Sequence, residues 1–309
     1  MYKLCFFLSF LLIIIFSVST QKEAGHEYVQ ETLLQRETYE NWWEDNTIKA
    51  VGYGTPRKNT SNAGVAKAIA RRAAIMDAYV NLAKKAGAVR ITKEKTLLRH
   101  EVDALIKGAE IISEEHDELG NCTIVMRIPI YGIENSFAKV AFKPVTKENF
   151  LPPSEDVKTE GNYTGLIIDC GDKELNPVLS PTIRNEKNQS IYSYSNLDYD
   201  KVISKGMVDY KRKIADGVVL LLKAEGVEKN FTQMGSKLLI ANDYDNNVDM
   251  SRAGSNPLVI KAVNMGDDST CPIISAEDSD KILAENGVSH FLDDGAVVFT
   301  GNRIRGVRL

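Results

Sequence analysis

Between residues 63 and 86 the sequence reads AGVAKAIARRAAIMDAYVNLAKKA, and this stretch constrains the fold more than any other. Ile69, Ala73, Met76, Val80, Ala83 and Ala86 recur every three or four residues, the period of one stripe on a helix. That stripe is expected to face the core. Ser61 or Asn62 offers a side-chain acceptor for the first backbone N–H groups, and Gly87 offers a stop. Alanines at 66, 68, 70, 73, 74, 78 and 83 lie on and beside the stripe. Their short side chains let a helix approach a sheet closely, so the segment is predicted as the central helix of a helix-on-sheet domain.

The flanks supply the sheet. TIKAVGY at 47–53 suits a strand that Gly54, Thr55 and Pro56 break. Residues 88–97 alternate like a half-buried strand, and 101–107 suit a short helix stopped by Gly108. Segments 109–116 and 121–131 are expected to pair as a hairpin around 117–120. In its second arm Cys122, Ile124, Met126, Ile128 and Ile130 share one face. The first domain, 47–142, is therefore predicted as α+β, with one long Ala-rich helix on a small, curved, mostly antiparallel sheet.

Three prolines and many charges mark 143–162 as a linker. Beyond it, 163–309 is predicted as a second, mixed α/β domain. Its expected strands are 163–170, 182–185, 190–194, 217–224, 237–241, 258–263 and 296–300, with helices at 198–214 and 276–286.

Before the first domain, Lys3 precedes the uncharged apolar run LCFFLSFLLIIIFSV at 4–18. That length fits a signal-peptide core and falls short of the roughly 20 residues that span a bilayer. Cleavage is expected after Ser19 or Thr20, which sends the chain to the periplasm or cell envelope, with outer-membrane association a further expectation. An uncleaved anchor is the competing reading. A lipid anchor needs a Cys just after the run, whereas Cys5 opens it. Residues 21–46 read as a polar lead-in arm, and Trp42 and Trp43 are expected to dock it onto the first domain.

A net charge of −4 and a pI near 5.7 leave no basic footprint for nucleic acid. Lys67, Arg71, Arg72, Lys84 and Lys85 on the main helix have the charge to meet an acidic membrane or peptidoglycan surface, although a solvated face explains them as well.

Elements of this region together resemble a known family: IKAVGYGTP with Gly52 and Gly54, the run Arg71 to Ala74, then Asp77 to Tyr79, and Lys107 to Ala109. They are similar to the domain shared by small bacterial surface lipoproteins and the amino-terminal part of flagellar assembly protein T, over about residues 47–131. The resemblance implies a small α+β domain in envelope proteins that are not enzymes, with envelope or flagellar proteins as partners.

No catalytic constellation and no cofactor motif emerges. Gly52-Tyr53-Gly54 lacks the third glycine of a dinucleotide loop and reads as the end of a strand. Asp243, Asp245, Asn247 and Asp249 alternate like the first half of a calcium loop. Val248 stands where the turn needs Gly, however, and Gly254 where a bidentate Glu closes the site. An Asx-rich turn is the plainer account, and a calcium-stabilised binding module the alternative. The four histidines show no metal-site pair. Asp169, Cys170 and His290 are the residues on which an exported hydrolase or thiol enzyme would have to rely, against the simpler reading of Cys170 as a buried strand-end residue. Cys122, Cys170 and Cys271 would permit one disulfide in an oxidising compartment.

Overall fold

The computed structural model describes residues 39–40, 42–57, 60, 62–154, 157–212, 252–305 and 307–308. Leader 1–20, most of the arm at 21–46, the strands expected at 217–224 and 237–241, and Asp243, Asp245, Asn247 and Asp249 lie outside the described residues. A two-residue strand β1 (Tyr39–Glu40) pairs antiparallel with Val307–Arg308, and this pair belongs to a small unit of its own. Residues 41–306 form the main unit.

The main unit begins with α1 (Trp42–Asp45), β2 (Thr47–Gly54) and the long α2 (Ala63–Ala88). There follow α3 (Arg99–Ile106), β3 (Glu110–His116), β4 (Cys122–Pro129) and α4 (Phe137–Ala141). The three strands make an antiparallel sheet in the order β2-β4-β3. Alternation puts Ile48, Ala50, Gly52 and Gly54 on one face of β2, opposite Ile128, Met126, Ile124 and Cys122 of β4. The predicted hairpin face is thus the core face, and Cys122, Ile124, Met126, Ile128 and Ile130 are all buried.

The long helix lies on this face, but of its expected stripe only Ala86 is fully buried. The fully buried residues of α2 are Ala70, Ala74, Ala78, Leu82 and Ala86, whereas Met76 and Val80 are 58% and 52% exposed. The cause is the glycines of β2. A Cβ on Gly52 would collide with the backbone of Ala74 and Ala78, and one on Gly54 with the Ala70 carbonyl. Strand and helix approach so closely that only alanine fits between them, so the larger Ile/Met/Val stripe is turned away. Asn62 caps the start, its side chain accepting from the N–H groups of Gly64 and Val65. The helix runs through Gly87 and ends where Val89 turns extended and buried.

Residues 88–97 hold only a single bridge, Arg90 to Thr96, rather than the expected strand. Their outward carbonyls are taken by the second half, since Leu179 and Ser180 donate to Arg90 and Ile91.

The second half contributes β5 (Gly165–Asp169), β6 (Glu174–Leu175), β7 (Ile183–Asn185), β8 (Ser190–Tyr192), α5 (Tyr199–Lys205) and β9 (Asp209–Arg212). It continues with β10 (Pro257–Lys261), β11 (Asn264–Met265), β12 (Pro272–Ile274), α6 (Ala276–Ser289), β13 (Val297–Gly301) and β14 (Arg303–Ile304). Strands β10-β5-β13-β9 form an all-parallel sheet, and β11-β12-β7-β8 a mixed one. Every residue of β13 is buried, as a parallel strand covered on both faces requires. The helix expected over 198–214 is instead the short α5 followed by β9, because Gly206 at φ +77° breaks it. In contrast, α6 runs through Gly287 and stops at His290, which is left-handed. The protein is α+β: a helix on a small antiparallel sheet, then a part built on parallel and mixed sheets.

Trp42 and Trp43 are both buried, and β9 helps to bury them. Trp42 meets Tyr210 edge to face at 6.4 Å, and the Arg212 guanidinium lies 6.0 Å from the Trp43 ring.

Candidate functional site

The exposed side of α2 is the surface that the packing leaves most in need of explanation. Along it run Val65, Ile69, Ala73, Met76 and Val80, spaced by three or four residues and about half a turn away from the buried alanines. Val65 is 49% exposed, and Met76 and Val80 more so. Helices of globular proteins carry one apolar stripe for the core and a polar one for water. This one carries two apolar stripes, and only the alanine stripe is used. Contiguous apolar side chains left outward are characteristic of interaction surfaces.

The neighbouring strand edge is closed to partners. β2 is an outer strand, yet Asp77 of α2 accepts the Tyr53 N–H at 3.0 Å, and the Asn81 amide donates to the Val51 carbonyl at 2.9 Å. These two side chains occupy main-chain groups on which an added strand would pair. The aspartate of the Asp77 to Tyr79 element is thereby explained as an edge clamp. Of the basic residues on α2, Arg71 is held by Glu114 at 2.9 Å, Arg72 and Lys84 are exposed beside the apolar stripe, and exposed Lys67 lies on the opposite side, in line with Ala70 and Ala74.

The enzymatic candidates are not brought together. Cys170 follows the C-terminal end of β5, and His290 precedes the N-terminal end of the parallel β13, so a strand length of roughly 16 Å separates their ends of the sheet. Cys170 has no exposed surface, and burial, with help from Asp169, pushes its thiol up to about 12. A thiol held neutral is a poor nucleophile. The Asp169 carboxylate accepts from the Gly171 N–H at 3.0 Å and so closes the strand-end turn. His290 is largely exposed, with Asp293 at 3.6 Å. No disulfide links Cys122, Cys170 and Cys271 among the described residues, and all three are buried. Gly52-Tyr53-Gly54 lies within β2 and packs under α2, which leaves no cradle for a phosphate.

A cleft of about 350 Å³ lies between the 151–154 segment, the β7–β8 hairpin and α6, lined by Leu151, Pro152, Asn185, Lys187, Ile191 and Ser279 among others. Of its two buried polar residues, Ser279 donates its hydroxyl to the Ala276 carbonyl at 2.7 Å, and Asn185 is occupied by the hairpin itself. Its oxygen accepts from the N–H groups of Lys187 and Gln189, and its amide donates to Gln189. The cleft therefore presents few unspent polar groups to a ligand.

Sequence reasoning missed one side-chain cluster. It treated the histidines as scattered, whereas strand pairing sets His116 directly opposite Cys122, with Glu114 beside them. The signal was available in principle: two residues at alternate positions of one hairpin arm, facing a cysteine in the other.

Residues 165–302, from β5 to the end of β13, match the family described as Treponema pallidum Tp0624, second domain. The second part of the chain is thus similar to that domain. No match to a curated protein was found.

Proposed function

We propose that this chain is a non-enzymatic, exported cell-envelope protein that acts in a surface or flagellar assembly by binding another protein through the outer face of α2. The observation that carries the reading is the second apolar stripe of that helix, with Val65, Met76 and Val80 outward although the core is complete without them. Exposed Arg72 and Lys84 beside the stripe favour a partner that presents apolar side chains flanked by carboxylates. Such complementary charges steer encounter, while apolar contact supplies most of the affinity. The apolar run at 4–18 supports export, and the likeness of 47–131 to envelope-protein domains supports the assembly role.

Two measurements test the reading together. Fractionation of the host, with N-terminal sequencing, is expected to recover a chain cut after Ser19 or Thr20 in the envelope. Crosslinking in that fraction is expected to capture one partner through α2. Recovery of the uncut chain in the cytoplasm, or of an uncrosslinked monomer in the envelope, would overturn it.

A further inference from the structure

We infer that Glu114, His116 and Cys122 form a binding site for a divalent transition-metal ion of the zinc class at the tip of the β3–β4 hairpin. One carboxylate oxygen, one imidazole nitrogen and one sulfur stand within 4.8 Å of one another. The contact between His116 Nε2 and Glu114 Oε1 is 3.4 Å. Tetrahedral zinc, with bonds of about 2.0–2.1 Å to nitrogen and oxygen, sets two such ligands about 3.3 Å apart. That pair is therefore already at ligand spacing, and the sulfur closes the third position by a side-chain adjustment.

The fold selects these residues. In β3 the register slips between Ile111 and Ser113. Without that bulge, Ser113 and Glu115 would fall opposite Ile124 and Cys122. With it, Glu114 and His116 take those places and turn toward the sulfur, a re-aiming that bulges commonly perform. The hairpin tip is fixed as well, because the Asp117 carboxylate accepts from the N–H groups of Leu119 and Asn121.

Glu114 is further oriented from α2, since Arg71 Nε donates to both carboxylate oxygens at 3.0 and 2.9 Å. Each oxygen keeps a lone pair for a metal, and a ligating carboxylate is usually hydrogen-bonded in this way by an outer group. Sulfur, nitrogen and oxygen together suit zinc better than calcium or magnesium. Glu114 and His116 are partly exposed, which leaves a fourth position to water. On binding, the Cys122 S–H bond breaks, its proton passes to solvent, a sulfur–metal bond forms, and the hydrated ion gives up water molecules.

The test uses the full chain, reduced and stripped of metal, titrated with Co²⁺ and then Zn²⁺. The expected result is one Co²⁺ per chain with a sulfur-to-cobalt charge-transfer band that Zn²⁺ abolishes. Cys122→Ser removes the band, and Cys170→Ser leaves it unchanged. Because Cys122 is a core residue and its variant is at risk of not folding, His116→Gln at the half-exposed position decides: it should keep the parent melting curve and weaken Co²⁺ at least tenfold. Absence of a saturable band, or a band and affinity unchanged in His116→Gln, would overturn the site.

Discussion

The carbonyl oxygen of Ala70 stands where a side chain on Gly54 would begin. Gly52 has the same relation to the backbone of Ala74 and Ala78. Since backbone cannot rotate aside as a side chain can, Gly52→Ala or Gly54→Ala must lift α2 from the sheet. The expected cost is about 3 kcal/mol, the upper end for overpacking, read as a lower denaturant midpoint. Gly87, near the end of the same helix, meets nothing within 4 Å of a built Cβ. There the same change should stabilise by roughly 0.5–1 kcal/mol, because alanine is the better helix former. Equal effects at the two places would contradict this packing.

Glu285 of α6 has no exposed surface, and its two oxygens accept from the N–H groups of Glu160 at 2.6 Å and Gly161 at 2.9 Å. It pins the end of the 143–162 crossing, which otherwise has no helix or strand among its described residues. Glu285→Ala should cost about 3 kcal/mol, since the N–H groups of Glu160 and Gly161 both lose their charged, buried acceptor. Amide exchange at Glu160 and Gly161 should quicken more than at β5. Uniform exchange would show that the pin is dispensable.

Arg252 ties together two backbone segments, the end of α5 and the turn before β13. Its guanidinium donates to the carbonyls of Lys205, Gly206 and Gly295, and its Nε stands 3.0 Å from Asp209. A lysine keeps the charge but lacks the planar fork. Arg252→Lys is expected to cost about 2 kcal/mol in chemical denaturation. A loss equal to that of Arg252→Ala is consistent with the fork, whereas full retention of stability would contradict it.

Alkali should destabilise the fold before acid chemistry of any active site is considered. Burial raises the Cys170 thiol from 9.0 to about 12, and also raises the phenols of Tyr131, Tyr192 and Tyr210. Each group holds its proton more tightly when folded, so its contribution is fully present below the unfolded value and lost as pH rises through the folded one. For Cys170 that window runs from 9.0 to about 12, and its share of the loss is about 3 kcal/mol at pH ~11. Urea midpoints followed upward from neutral pH should fall beyond pH ~9. A flat profile to pH ~11 would contradict the burial of these groups.

The first part of the fold was legible where a single period governs it. The alternation of Cys122, Ile124, Met126, Ile128 and Ile130 gave the core face of β4, and the alanine run gave the position of α2. The face of α2 was misread because hydrophobicity favours Ile69, Met76 and Val80 for the core, whereas the gap above Gly52 and Gly54 admits only alanine. Similarly, the helix expected over 198–214 is cut short at Gly206, and the four residues of β9 follow it. The Glu114, His116 and Cys122 cluster depends on a bulge and a cross-strand register, neither of which a single pass along the chain reveals.

The most direct test of the central claim is site-specific photo-crosslinking in the host envelope from Ala73 on the outward stripe, compared with Glu118 at the exposed hairpin tip. The account predicts one discrete adduct from position 73, none from 118, and loss of the adduct in a Met76→Asp/Val80→Asp variant whose unfolding midpoint is not lowered. No adduct from position 73, or one that survives the double substitution, would contradict α2 as the partner surface.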